Sequence, residues 1–320
     1  MTKIGIDKVT IIGGGILGSQ IGLMCAYYNK DVVFTSRSEE STKKTKAKIE
    51  QYSTIMINEL EKLKTSLPNI EGPCPRGLIP KNCELTKEKI DELISNFKVN
   101  ITEKINIETD MAKAVGDADI IIEAILENPK AKINLFESIK DLIPENTIIC
   151  TNTSNFVPST FAEHTGRPEK FLALHFANFI WINNIAEVMS HPGTDEDVYN
   201  KVVQFSEEIG MNPLKLQKEQ PRYVLNSLLI PFLQNARELW AKGVADPETI
   251  DKSWELGTGA PIGPFKIMDT IGIKTIYNIN QMYPGANEEG SVTNKIGKLL
   301  KEMIDKGEIG VNAGKGFYKY

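Results

Sequence analysis

A doubly wound, mainly parallel α/β sheet with a projecting helical arm, followed by an all-α C-terminal domain, is the architecture this sequence predicts. Three observations predict it. A glycine-rich turn joins a β-branched apolar run to a helical run near the N-terminus. Buried strands and helices then alternate as far as Thr151. After about residue 200 that alternation gives way to long segments that are apolar on one face. The 320 residues suffice for about two domains, which we place at 1–200 and 201–320.

Val9–Ile12 is β-branched and apolar, as a strand buried on both faces should be. Gly13, Gly15 and Gly18 follow as G-x-G-x-x-G, with Ile16 and Leu17 inside the motif. Helical periodicity through Ile21, Met24 and Cys25 then leads to a second apolar strand, Val32–Phe34. Each glycine meets a separate demand: a tight turn at Gly13, close backbone approach to a pyrophosphate at Gly15, and helix–strand packing at Gly18. The exposed amides of a helix N-terminus suit the anion. A Rossmann-type dinucleotide-binding domain is therefore expected, with the backbone of Ile16 and Leu17 on the cofactor side.

The end of the second strand bears on which dinucleotide binds. An acidic residue there would accept hydrogen bonds from a ribose 2′-hydroxyl; Thr35, Ser36 and Arg37 stand there instead. A hydroxyl followed by a guanidinium suits a 2′-phosphate, so NADP is expected over NAD, with Glu39 and Glu40 as the alternative ribose partners.

Next comes an insertion too long for a simple crossover. Ser38–Leu67 and Thr86–Asn96 read as two helices forming an arm at about 38–97, joined by the turn-rich "LPNIEGPCPRGLIPKN". Lys43, Lys44, Lys46 and Lys48 read first as a solvated helix face, and would also suit a phosphate-bearing substrate. "ADIIIEAILENPKAKINLFESIKDLIPENTIICTNTS" restores the strand–helix–strand order, with Asn128 as N-cap and Pro129 in the first helical position. Lys132 then sits in the first turn, where the helix dipole disfavours a cation.

Leu172–Phe176 and Ala186–Met189 read as strands, and a loop between them could bring Glu187 to His175, one of three histidines in the chain. An imidazole titrating near neutral pH, held by a carboxylate on its other nitrogen, is what proton removal beside a hydride transfer requires. Beyond residue 200, "YVLNSLLIPFLQNARELWAKG" is a long one-faced helix, and "GTGAPIGPFKIMDTIG" a tight packed loop.

Composition limits the alternatives. A net charge of −5 gives no reason to expect nucleic acid, and no apolar run approaches the ~20 residues that span a bilayer. Cys25, Cys74, Cys83 and Cys150 lack metal-ligand spacing, so no metal is expected. Glycines interrupt the apolar stretch of "MTKIGIDKVTIIGGG", so the reading is a cytoplasmic protein.

The chain resembles the L-3-hydroxyacyl-CoA dehydrogenase family, including its 3-hydroxybutyryl-CoA dehydrogenases, over nearly its whole length. The likeness rests on the glycine turn, "IIIEAILENPKAKINLF", "TNTSN", "LHFAN…AEV", "LNSLLIPFL", "GAPIGPFKIMDTIG" and "AGKGFYKY", in family order. It implies an acyl-CoA thioester substrate, His175 as base, Glu187 as its partner, and Ser154 and Asn178 around the substrate oxygen. It further implies Asn226 beside the active site, Glu127 and Lys132 on the cofactor side, and a homodimer through the helical domain. One departure stands out: the family's His-Phe-x-Asn-Pro is here His175-Phe176-Ala177-Asn178-Phe179. Phe179 and Trp181 are expected to enlarge the apolar surface beside the catalytic loop. The rival readings are a dehydrogenase of a free hydroxy acid (carnitine- or gulonate-type) and a non-catalytic dinucleotide-binding protein.

Overall fold

The computed structural model describes residues 5–69 and 74–320, so part of the turn-rich loop and the first four residues lie outside the described residues. The chain divides into two compact units, residues 1–224 and 225–320.

The first unit is built on an eight-stranded sheet in the order β3-β2-β1-β4-β5-β6-β7-β8. Its strands are β1 (Lys8–Ile12), β2 (Asp31–Thr35), β3 (Ile105–Glu108), β4 (Ile120–Glu123), β5 (Ile148–Thr151), β6 (Phe171–Phe176), β7 (Ile185–Met189) and β8 (Asn212–Lys215). Every pairing is parallel except β6 with β7. Burial on both faces explains the unbroken apolar runs. Ile120, Ile122, Ile148 and Cys150 face one core, while Ile121 and Ile149 face the other. The first core is closed by α1 (Ile16–Tyr27), α2 (Glu39–Ser66), α3 (Lys87–Glu103) and, from further along the chain, residues 196–208. The second is closed by α4 (Met111–Val115), α5 (Pro129–Ile139) and the short turns around Phe161.

The arm is the α2–α3 pair, capped by Ser38 and Thr86. Its apolar stripe (Ile49, Tyr52, Met56, Leu60, Ile90, Ile94 and Phe97) joins the core that α1 lines. The second arm helix runs on to Glu103 because Phe97 is buried edge-on against Tyr27, 5.2 Å between ring centres. Of the lysine run, Lys44 pairs with Glu40, whereas Lys43, Lys46 and Lys48 have no ion pair among the described residues.

The boundary at 200 requires correction. Helix α6 (Glu196–Glu208) buries Val198, Val202 and Phe205 against the sheet, and β8 pairs with β7, so the first unit extends to Val224. Pro213 lies within β8, an edge strand that tolerates a missing N–H.

Helix α7 (Tyr223–Ala241) leads into the second unit, which adds α8 (Pro247–Thr258), α9 (Pro264–Ile271), α10 (Ile273–Gln281) and α11 (Val292–Asp305) around Phe265, Met268, Ile276 and Leu300. Two buried aspartates close it. Asp269 accepts the amides of Phe317 and Tyr318 and the hydroxyl of Tyr320, each at 2.8–3.0 Å. Asp251 accepts the amides of Phe265 and Lys266 and the hydroxyl of Tyr318. All four cysteines are free, with Cys25 and Cys150 buried. Among the described residues no helix is long and apolar enough to cross a membrane.

Candidate active site

Functional residues gather past the carboxyl ends of the parallel strands, where doubly wound sheets bind ligands. After β1, Gly13 turns with φ +113°, and a Cβ there would meet the Ala124 carbonyl oxygen at 2.5 Å. A Cβ at Gly18 would clash with the Gly13 carbonyl, whereas one at Gly15 would meet nothing within 4 Å. Gly15 is the N-cap of α1 and offers no side-chain cap, so the first-turn amides of Ile16, Leu17 and Gly18 lack intrahelical acceptors. These residues fit a dinucleotide's pyrophosphate.

At the end of β2, Ser36 is buried. Its hydroxyl donates to the Ser38 carbonyl and accepts from Thr42, so it braces the entry to α2. Arg37 is exposed and has no hydrogen bond or ion pair among the described residues.

After β4 lies a buried charge network. Lys132 is 1 % exposed, and its ammonium lies 2.6 Å from Glu123 and 3.3 Å from Glu127. Two carboxylates thus offset the helix-dipole penalty anticipated for this lysine. Glu123 also accepts from the Ile125 amide and the Thr151 hydroxyl. Glu127 accepts from the amides of Ser154 and Asn155 and the hydroxyl of Thr153, and so shapes the turn after β5. The cap at Asn128 is present, its Oδ1 accepting from the Ala131 amide.

That turn carries Ser154 toward His175 near the end of β6. The Ser154 hydroxyl lies 3.2 Å from His175 Nε2, and Glu187 Oε2 lies 2.9 Å from His175 Nδ1. The separation of twelve positions costs nothing in reach, because His175 and Glu187 are register partners across the antiparallel β6–β7 pair. Glu187 is fully buried, and its other oxygen accepts from the Val224 amide at 2.9 Å. An ionised carboxylate only accepts, so with Glu187 ionised and the ring neutral the geometry suits a proton on Nδ1 and a lone pair on Nε2 toward Ser154. The Tyr223 ring stacks on the imidazole at 4.4 Å and 20°. Burial, followed by the nearby Glu127 and Glu187, holds the Tyr223 hydroxyl well above the usual phenol range, so it stays protonated.

Two family models together match most of the chain. Residues 8–72 and 78–220 match the 3-hydroxyacyl-CoA dehydrogenase NAD-binding domain, and residues 223–320 match that family's C-terminal domain. The chain belongs to the 3-hydroxyacyl-CoA dehydrogenase family. It is therefore an oxidoreductase with an NAD-binding domain. Human mitochondrial hydroxyacyl-coenzyme A dehydrogenase is 30 % identical over 318 residues, covering 99 % of this chain and 92 % of the relative. The 3-hydroxybutyryl-CoA dehydrogenase of Clostridioides difficile is 29 % identical over 98 % of this chain and 99 % of its own. Among solved structures, one concerned with substrate-directed dual catalysis of dicarbonyl compounds by diketoreductase is 38 % identical over all of both chains, with a TM-score of 0.82. The (S)-3-hydroxybutyryl-CoA dehydrogenase of Ralstonia eutropha is 26 % identical over 99 % of each chain, with a TM-score of 0.73.

Against the family pattern, the loop after β6 behaves differently from expectation. Asn178 is exposed at its start. Trp181 is fully buried, packed edge-on to Phe179 and against Tyr52 of the arm, so it enlarges the core and not an acyl-facing surface. Phe179 adopts φ +55°, which a proline ring forbids. Asn226 belongs to the second unit, on α7.

Glu123, Thr153, Tyr223 and Gln20 are contributors that motif reading passed over. Glu123 had a signal, a carboxylate ending the apolar run Ile120–Ile122. Tyr223 had none beyond being aromatic, since its stacking depends on a backbone bend with φ +68° at Arg222 and +56° at Tyr223.

Proposed function

We propose that this protein interconverts a short-chain L-3-hydroxyacyl-CoA and the corresponding 3-ketoacyl-CoA. The observation that carries this reading is the imidazole of His175 held between a buried carboxylate at 2.9 Å and a hydroxyl at 3.2 Å, past the strand ends of an NAD-binding domain. In oxidation, His175 Nε2 takes the proton of the 3-hydroxyl; in reduction it returns that proton to the carbonyl oxygen. Glu187 keeps Nδ1 protonated and stabilises the imidazolium, the logic of a triad without its nucleophile. Ser154 and Asn178 donate to the substrate oxygen as its charge develops. The nicotinamide, when bound, supplies the hydride acceptor or donor. Glu127 and Lys132 hold the turn that borders the cofactor.

NADP(H) is the partner we favour, which goes with the reductive direction. The support is the absence of a carboxylate at the end of β2 together with the unpaired, exposed guanidinium of Arg37. The free cysteines suit the reducing cytoplasm. A homodimer through the helical unit is favoured by Leu228, Leu256 and Met282, which are 69–85 % exposed in the single chain; sedimentation of the purified protein tests it.

A second reading, reduction of a free dicarbonyl compound, is favoured by the 38 % identity to the diketoreductase. One panel separates the two: turnover of acetoacetyl-CoA, longer 3-ketoacyl-CoA thioesters and free β-dicarbonyls, each with NADH and NADPH. Thioester turnover at least tenfold above that of the free compounds supports the first reading, and the reverse order overturns it.

A further inference from the structure

Gln20 is placed where a polar side chain has no packing reason to be. It sits on α1, two residues past Gly18, and is 1 % exposed. Its Nε2 is buried without a hydrogen-bond partner among the described residues, an unfavourable arrangement that an apolar residue of similar size would avoid. Its Oε1 accepts from the amide of Phe179 at 2.7 Å and, more weakly, from that of Ile180 at 3.4 Å.

Phe179 is also strained. Its φ of +55° is a conformation that bulky residues rarely adopt, and such strain persists only where the surroundings enforce it. Past this bend the loop is tied down at several points. The Phe179 carbonyl accepts from the amides of Ile182 and Asn183, the Asn183 side chain donates to the Asn178 carbonyl, and the Trp181 carbonyl accepts from the Gly77 amide. From α1, the Gln20 carboxamide adds a grip on the amide of the bend itself. A proline at 179 would have neither the N–H nor the φ that this grip needs.

We propose that Gln20 is a positioning residue: its carboxamide holds the turn after β6 in a left-handed bend that sets Asn178, tying the cofactor-side helix to the substrate-side loop. The inference rests on the reading of Asn178 given above, and extends it to a residue that acts through the loop backbone.

The test uses the full-length enzyme and a double-mutant cycle between Gln20→Leu and Phe179→Pro, with Phe179→Gly and Asn178→Ala as controls. Three quantities are read: kcat/KM for acetoacetyl-CoA, NADPH affinity by fluorescence, and hydrogen exchange of the Phe179 and Ile180 amides. Gln20→Leu is expected to speed that exchange about tenfold and to lower kcat/KM about five- to tenfold, with NADPH affinity within about twofold. Phe179→Gly, which keeps the N–H and tolerates the bend, should retain sensitivity to Gln20→Leu. In the Phe179→Pro background, Gln20→Leu should cost nothing further. Unchanged exchange in Gln20→Leu, or an equal further loss in the proline background, overturns the tether. Faster exchange with unchanged kcat/KM overturns the positioning role. In that last case Asn178→Ala locates the fault: an impaired variant leaves the reading of Asn178 standing, and an unimpaired one removes that reading as well.

Discussion

Both units bury carboxylates, but they surround them differently. In the second unit, Asp251 and Asp269 are 1 % exposed and take their hydrogen bonds from backbone amides and tyrosine hydroxyls. These donors do not change charge near neutral pH, so the aspartates act as fixed knots that close the helices onto the C-terminal strap. Burial pushes the Asp251 carboxyl above its ordinary value, although its amide and hydroxyl donors pull it back. In the first unit, Glu187 meets an imidazole and Glu123 an ammonium. There the partner is titratable and stands at the strand ends beside a glycine cradle. The segment "GAPIGPFKIMDTIG" carries an aspartate held by fixed donors, and "LHFAN…AEV" a carboxylate held by an imidazole. The nature of the donor, more than burial itself, separates them.

This contrast can be broken or sharpened by substitution. The largest effect is expected from His175→Ala, which should lower kcat by about 10²–10⁴-fold while leaving NADPH affinity unchanged; steady-state turnover and fluorescence titration check both halves. Glu187→Gln should cost about 10²-fold in kcat, because an amide no longer enforces the proton on Nδ1. Ser154→Ala should cost about tenfold, mainly in kcat/KM, as one donor to the substrate oxygen is lost. Arg37→Ala should raise KM for NADPH about tenfold and leave that for NADH within about twofold, read from parallel saturation curves. Asp269→Asn should leave turnover per folded molecule unchanged and instead lower stability by about 2 kcal/mol, seen in chemical denaturation. Lost turnover at full stability in Asp269→Asn would erase the distinction between the two units.

How far the sequence carried the fold depended on the length and burial of each element. The β1–turn–α1–β2 unit was legible because its apolar runs are unbroken and Gly13 and Gly18 leave no room for a side chain. The strand β3 was missed: four residues long and only partly buried, Ile105–Glu108 has little alternation to display. The domain boundary was set too early because α6 and β8 return to the sheet after the main alternation ends, and β8 contains a proline. At the site, His175 and Glu187 were legible from their family spacing, and the structure brings them within 2.9 Å. The contacts of Gln20 and Tyr223 were not, since they arise at bends at Phe179 and at Arg222–Tyr223 that no local pattern encodes. Trp181 was misplaced for a similar reason, because only the packed arm supplies its contact with Tyr52.

The account depends most on Glu187 acting through the imidazole. Its most direct test is kcat for His175→Ala, Glu187→Gln and the double variant, measured with one thioester and one cofactor. The account predicts that Glu187→Gln costs nothing further once His175 is absent; a second loss of about 10²-fold in the double variant would contradict it.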